Sequence, residues 1–316
     1  MVGTQHRRVP VYGCPEVTAN RRTDPVVTPP WTPKLSCMTS TSIGEWRELA
    51  PGIHCVTCEP EHVNVGLVVG ADAAMLVDAG STPEQGAALL ESARQIAGVP
   101  VTHVVITHNH HDHWLGLAGM KDLTSIAHEN LLGEPSRATR AFADSIGMTE
   151  LPQPTITFSI AKAVNLGGGV RLEMLHFGGA HTRGDVLVMV PSGNVIFAGD
   201  MLESAGDPQF DETSNIKNWP TALDGVLGAA NESTQFVPGH GHVVDRNFAF
   251  IQRAEIGMLY GNTEMLIQQG TKVQDAAEAS DWPFTAETLK VALPLIYGEL
   301  EAIGIKPRTQ LPISSL

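Results

Sequence analysis

The run Thr107-His108-Asn109-His110-His111-Asp112-His113 sets three imidazoles and a carboxylate in an H-x-H-x-D-H pattern. Imidazole nitrogens and carboxylate oxygens are ligands of choice for divalent metals, and a segment this dense in them can present several to one site. The chemistry that such a site performs most readily is activation of water, so hydrolysis is the first expectation.

Three later segments supply more of the same donors. His181 lies in Gly178-Gly179-Ala180-His181-Thr182-Arg183-Gly184-Asp185, Asp200 follows Phe197-Ala198-Gly199, and His240 stands between Gly239 and Gly241. Glycine beside a ligand lets backbone and side chain approach without Cβ crowding. Together His108, His110, Asp112, His113, His181, Asp200 and His240 divide into two three-ligand sites and one bridging carboxylate. His111 is the variable position of the run.

Strands and helices have to hold these donors. Residues 101–106 form an apolar stretch of buried-strand length directly before the histidine run. The pattern predicts further strands over 52–57, 63–69, 74–77, 155–158, 170–175, 186–190 and 195–198, with a hairpin turn at Pro191-Ser192-Gly193-Asn194. Helical spacing covers 83–97, closed by Gly98 and Pro100, and returns over 219–230 and most of 247–302. Residues 114–150 are expected to be mainly helical, broken at 133–135. Two β-rich blocks, each followed by helices, predict an α/β protein with two sheets packed together and helices outside. Donors sit where strands end, which is where α/β folds assemble ligand sites.

The chain has 316 residues, 42% hydrophobic and 17% charged, enough for one large domain or two smaller ones. Residues 1–40 hold six prolines and no periodicity, so they are expected to be an extended or disordered arm. Residues 41–245 are expected to be the catalytic core and 246–316 helices packed on it or at an oligomer interface. Of the net charge of −14, the arm contributes +3, leaving −17 on the remainder, which repels phosphate backbones and disfavours nucleic acid as a partner. No apolar run reaches the ~20 residues of a membrane span, and no apolar leader follows the N-terminal arginines. Four cysteines are too few for a disulfide framework, so the cytoplasm is the default compartment. Cys55 and Cys58 form a lone C-x-x-C, but positions i and i+3 of a strand face opposite sides, which argues against a second metal or redox site there.

The chain resembles the metallo-β-lactamase-fold superfamily over roughly residues 46–245, with Asp78 in Leu76-Val77-Asp78-Ala79-Gly80, the 108–113 run, His181, Asp200 and His240 in order. The resemblance implies a four-layer αβ/βα sandwich with the site at one edge. It implies that His108, His110 and His181 bind one metal and Asp112, His113 and His240 another, with Asp200 between them. Asp78 is implied as a support of the ligand loop rather than a ligand. Zn²⁺ suits these donors best, although Fe and Mn accept the same set.

On this basis the expected function is hydrolysis of an ester, lactone, thioester or amide of a small molecule by a water shared between two metals. Asp112 is the expected proton handler. True β-lactamases of the superfamily usually carry Cys or Ser where this chain has Asp200, so the resemblance is to the glyoxalase II, lactonase and general hydrolase branches. Asp185 stands where glyoxalase II-like proteins favour His, which argues against a glutathione thioester. The alternative is a mononuclear iron sulfur-oxidising enzyme resembling persulfide dioxygenases. Substrate contacts are expected from residues 59–62 and 201–220, with Trp114, Phe210 and Trp219 as candidate pocket residues, the two tryptophans being equally compatible with packing. Leu259, Leu266, Leu289, Leu293, Ile296 and Leu300 lie on apolar stripes suited to core or to a homo-oligomer surface.

Overall fold

A computed structural model describes residues 41–307. The N-terminal half runs β1 (Ser42–Ile43), β2 (Arg47–Ala50), β3 (Ile53–Glu59), β4 (Val63–Val69), β5 (Ala74–Val77), α1 (Pro83–Ala97), β6 (Val101–Val105), α2 (His111–Trp114), β7 (Thr124–His128), α3 (Arg137–Ser145) and β8 (Ile156–Phe158). The C-terminal half continues with β9 (Ala161–Asn165), β10 (Arg171–Leu175), β11 (Leu187–Val190), β12 (Val195–Glu203), α4 (Trp219–Ala229), β13 (Gln235–His240), α5 (Arg246–Gln269), α6 (Val273–Ala276) and α7 (Ala286–Ala302). The expected arm over 1–40 lies outside the described residues.

Hydrogen bonding links the strands in the order β8-β7-β6-β5-β4-β13-β12-β11-β10-β9, with β3 on β4. The strand ladder crosses between the two halves at one residue pair, His240 with Val63, and Asn64 Nδ2 donates across it to the Pro238 and Gly241 carbonyls. An apolar layer combining Val68, Met75, Val77, Val105 and Ile126 with Leu172, Val188, Phe197 and Val237 fills the space between them. The outer face of the first half packs on α1 through Leu76, Leu89, Ala93 and Val104. The outer face of the second packs on α4, α5 and α7 through Ile196, Leu223, Ile256 and Leu293. These are the four layers of an αβ/βα sandwich. Strand alternation explains the cysteines, since Cys55 faces the inner layer and Cys58 the outer one, and both are free.

Helix α1 shows how local chemistry sets boundaries. Thr82 caps it by accepting from Gln85 N at 3.2 Å, Pro83 opens it, and Gly98 closes it in the left-handed region at φ 65°. The helix lies close to the turn Leu115–Gly119 that follows the histidine run, and glycines make this approach possible. A Cβ on Gly116 would overlap the Ala79 carbonyl. Gly116→Ala is therefore expected to cost about 2 kcal/mol or more through overpacking, seen as a lower melting temperature in thermal unfolding.

One expectation fails, and one strand has no counterpart in the sequence pattern. Residues 114–150 are not mainly helical, since β7 runs through their centre between β6 and β8. Its Thr-Ser-Ile-Ala-His sequence is buried on both faces for most of its length, so it shows no period-2 alternation. Strand β9 was also unexpected. It lies at the end of the hydrogen-bonded order with only its alternate residues half-buried, which gives it a weak apolar signal.

Candidate metal centre

The donors converge where strands of both halves end. Strand β6 delivers His108 and His110, and α2 carries Asp112 and His113. His181 comes from the β10–β11 connection, and β13 ends on His240. Asp200 sits inside β12, where a register shift between Phe197 and Gly199 breaks the regular pairing with β13. Such a bulge re-aims a side chain. Gly239 faces the Asp200 carboxylate, and a Cβ there would overlap it.

His108, His110, His181 and Asp200 form one group of donors and Asp112, His113 and His240 another, the donor atoms of each lying within 4.8 Å of one another. Asp200 Oδ2 is 3.6 Å from His108 Nε2 and 3.4 Å from His181 Nε2. The same carboxylate reaches the second group, with Oδ1 at 3.1 Å from His113 Nε2 and Oδ2 at 3.5 Å from His240 Nε2. Asp112 Oδ2 lies 3.2 Å from His240 Nε2 and 3.5 Å from His113 Nε2.

Each imidazole has its other nitrogen occupied. His181 Nδ1 faces the Gln209 carbonyl at 3.1 Å and His240 Nδ1 the Glu61 carbonyl at 2.9 Å. A carbonyl can only accept, so both Nδ1 atoms carry protons and both Nε2 atoms point inward as potential ligands. Thr107 Oγ1 donates to Asp78 and so accepts from His108 Nδ1 at 3.0 Å. His113 Nδ1 is 2.8 Å from Asp78 Oδ2, and His110 Nε2 is 2.9 Å from Asp211 Oδ2, which leaves His110 Nδ1 facing the site.

The inward atoms need a cation. His110 Nδ1 and His181 Nε2 are 2.8 Å apart, a distance two lone pairs cannot share without a proton or metal ion between them. His108 Nε2 is buried with no hydrogen-bond partner, and Asp200 Oδ1, although 3.1 Å from His113 Nε2, makes no well-aligned hydrogen bond. This donor set fits divalent metal. In the protein alone, burial and the neighbouring rings push His181 down to about 4 and hold His108 well below the ordinary imidazole range. Burial also opposes charge on His113 and His240, but Asp200 and Asp112 outweigh it and push His240 up to about 12. Protons on that half occupy the place of a cation, so metal loading there must displace them.

Asp78 is not among the converging donors. It sits just past β5 at φ 69°, an unusual conformation for a non-glycine residue, and accepts from Thr107 N at 2.7 Å and Thr107 Oγ1 at 2.9 Å. It thereby holds both the start of the histidine run and the His113 ring.

Asp211 was missed in the sequence. Besides His110, it takes Thr213 N at 2.7 Å through Oδ1, while Ser214 Oγ donates to the His181 carbonyl at 2.8 Å. One tight loop thus orients two rings. No local signal marks it, since His110 and Asp211 are 101 residues apart. Asp211→Ala is expected to weaken metal affinity by about 10- to 100-fold, with metal titration as the measurement.

The three aromatics expected at the pocket pack behind the site instead. Trp114 is 1% exposed in the layer around α1 and donates to the Pro152 carbonyl at 2.9 Å. Trp219 is fully buried, donates to the Met201 carbonyl, and lies edge-on to His181 at 5.6 Å between ring centroids. Phe210 is wedged against Trp219 and Phe284. Indole and phenyl rings suit pocket and core alike, and here long-range packing places them in the core. Asp185 is also structural, accepting from Ala180 N, Thr182 N and Thr182 Oγ1 and so shaping the turn that carries His181.

The open side of the centre is a cleft of about 500 Å³ at His240, lined by Thr57, Glu61, His62, Glu203, Asp207 and Gln209 among others. These residues come partly from both segments expected to overhang the site. Glu203 is a buried carboxyl pushed up to about 7 by burial and by the charge of Asp200. A smaller hollow of about 290 Å³ lies beside Asn109, Arg183 and Thr213.

A family model of the metallo-beta-lactamase superfamily matches residues 58–246. The chain is 25% identical to the metallo-beta-lactamase type 2 of Bacillus cereus, over 57% of this chain and 68% of that protein. It is 30% identical to the hydroxyacylglutathione hydrolase of Ruegeria pomeroyi, over 55% of this chain and 60% of that one. Among solved structures, a metallo-beta-lactamase from Pontibacter korlensis superposes with a TM-score of 0.57 at 22% identity, covering 67% of this chain and 98% of the other, and this likeness speaks for the fold. No helix among the described residues is long and apolar enough to cross a membrane.

Proposed function

The chain belongs to the metallo-beta-lactamase superfamily, and from that premise we propose that it is a dinuclear metal-dependent hydrolase acting on an ester, lactone, thioester or amide carbonyl of a small molecule. The observation that carries this reading is the division of the donors into a group of four and a group of three, with the Asp200 carboxylate within 3.6 Å of imidazoles from both. When bound there, divalent metals, Zn²⁺ first among them, would lower the pKa of a shared water toward ~7 and polarise the carbonyl under attack. The protein's own residues do the rest. His108, His110 and His181 with Asp200 would hold one ion, and His113, Asp112 and His240, with Asp200 near them, would hold the other. Trp219 and Phe210 exclude water from behind His181. Asp112 Oδ2, aimed between His113 and His240, is placed to hold the proton that the attacking water gives up.

The test is metal quantification coupled to a hydrolysis screen across lactones, thioesters, phosphoesters and β-lactams. Two zinc ions per chain with turnover of a carbonyl substrate support the reading. One iron per chain with oxygen consumption and no hydrolysis overturns it in favour of the sulfur-oxidising alternative. Asp112→Ala is expected to lower kcat by roughly 10²- to 10⁴-fold together with metal occupancy. Full activity with two metals retained in that variant would remove Asp112 from its role.

A further inference from the structure

Helix α5 has two apolar faces, and the fold uses only one of them. Leu259 and Leu266, expected on a stripe suited to core or to a homo-oligomer surface, are buried in the layer with α4 and α7. The opposite face carries Ile251, Met258 and Met265, each seven residues from the next and about half exposed, at 47%, 52% and 48%. Ala254 and Gly261 stand between them, three residues on from Ile251 and Met258. This alternation of three and four is the spacing of a seam that receives a second helix. Asn247 and Gln268 close its ends, no charged residue lies on it, and Phe250 stands beside it at 58% exposure.

The outward side of a surface helix is normally polar. Large side chains have roughly 150–250 Å² of surface each, so these four leave on the order of 400 Å² of apolar surface open. A contiguous patch of that size marks an interaction site. It is about half of the ~800 Å² that one side of a standard interface buries, and the small and polar residues along a helix about 36 Å long add to it.

The seam itself says what fits it. Its large side chains all hold one of the two alternating positions, and small ones hold the other. A parallel pair of such helices would set Met258 on Met258 and Gly261 on Gly261, leaving layers alternately crowded and empty. An antiparallel pair sets large over small instead, Met258 over Gly261 and Met265 over Ala254 of the second copy. A Cβ on Gly261 would meet nothing within 4 Å, so that space is open. Charge agrees with the reversed direction. Arg253, which holds Asp224 at 2.8 Å, and Glu264 lie on one flank of the seam, and reversal brings Glu264 within a turn of Arg253 of the second copy. Like charge over the rest of the acidic body opposes contact, so the uncharged seam is where two copies can meet. A helix lying on a membrane would be bordered by lysine and arginine, whereas Glu255 and Glu264 border this seam.

We infer that α5 is the interface of a homodimer, in which two copies of this chain pair the helix antiparallel about a two-fold axis between Met258 and Gly261. The inference is independent of the hydrolase reading.

Sedimentation velocity of the metal-loaded protein from about 1 to 200 µM is expected to show a monomer–dimer equilibrium with a micromolar dissociation constant, as suits an interface of modest area. Met258→Glu sets two carboxylates together near the axis and is expected to raise that constant at least ~10-fold. Met265→Glu, opposite Ala254, is expected to act in the same direction. Both positions are half exposed, so the monomer keeps its fold, which circular dichroism checks. Single cysteine substitutions in a Cys14→Ser/Cys37→Ser background then fix the direction of pairing. On oxidation Met258→Cys is expected to give a covalent dimer, its two copies lying within ~5 Å along the helix axis. Ile251→Cys is expected to give none, its copies lying about 25 Å apart along that axis. A monomer at every concentration overturns the inference, as does a dimer that Met258→Glu and Met265→Glu both leave unchanged. Cross-linking of both cysteine variants shows a parallel pair and overturns the antiparallel arrangement. A monomer that cosediments with phosphatidylcholine vesicles, and loses them in Met258→Glu, gives the face to a lipid surface and likewise overturns it.

Discussion

Asp200→Ala is expected to abolish stable metal binding at both halves of the centre and to lower kcat/KM by at least ~10³-fold, a loss of about 4 kcal/mol of transition-state stabilisation. The reason is that one carboxylate serves both groups. Its two oxygens lie within 3.6 Å of four imidazoles, those of His108, His181, His113 and His240. Any other single donor belongs to one group, so its loss leaves the second group complete. Metal content by mass spectrometry and activity on whichever substrate the screen yields are the paired measurements. Two metals per chain with activity within ten-fold of wild type would show that Asp200 is not shared. The conservative Asp200→Asn separates charge from shape and carries a pH signature in metal-free protein. Burial opposes charge on Asp200, but the charges of His113, His240 and His108 hold its carboxyl well below the usual carboxylate range, and Asp200 in turn helps to raise His113 and His240. A lowered carboxylate stabilises the fold above its ordinary pKa of ~3.9, and a raised imidazole stabilises it below its ordinary pKa of ~6.5. The stability lost in Asp200→Asn is therefore largest between those values. It shrinks as pH rises toward the raised value of about 12 for His240.

Asp78→Ala is expected to have the largest effect on stability, although Asp78 touches no substrate and is not in the donor groups. Its carboxylate is buried and receives Thr107 N, Thr107 Oγ1 and His113 Nδ1. Removing it orphans three buried groups at about 1–3 kcal/mol each. Alanine at a φ of 69° adds left-handed strain of about 1–2 kcal/mol. A fall in melting temperature of roughly 10 °C or more follows, at about 2–4 °C per kcal/mol for a domain of this size. Metal affinity is expected to fall by about 10- to 100-fold as His113 and the 107–113 segment lose their brace. Asp78→Asn tolerates the backbone conformation and can still accept from Thr107 N, but its amide nitrogen cannot accept from the hydroxyl or the ring. It should keep more of the stability than Asp78→Ala while losing comparable metal affinity. Thermal unfolding and zinc titration of both variants check the two halves of the argument, and an unchanged affinity in both would leave Asp78 a purely structural residue.

Much of the centre was legible because its signals are local. His108, His110, Asp112 and His113 are packed into six residues, and His181, Asp200 and His240 each stand next to glycine at or near an apolar strand. The boundaries of α1 were equally plain, since Thr82, Pro83 and Gly98 are chemical punctuation that acts within one turn. The aromatic residues were harder. Trp114, Trp219 and Phe210 have side chains that satisfy a pocket or a core, and only the elements packed over them decide which. Strand β7 was hidden because its neighbours β6 and β8 supply its hydrogen bonds, and neither leaves a mark on its own sequence.

By itself, the sequence determined the donor types, their grouping near strand ends, and hence the fold family and the kind of chemistry. These follow from side-chain chemistry and short-range spacing. Only the tertiary structure decided which nitrogen of each histidine faces the centre, because that depends on acceptors brought from elsewhere: the Glu61 and Gln209 carbonyls, Asp78 and Asp211. The tertiary structure also set the buried Glu203 beside His240, through a strand pairing between β12 and β13 that joins segments with no sequence relation to each other. Orientation and burial are properties of contacts, and contacts between distant segments come into being only when the chain folds.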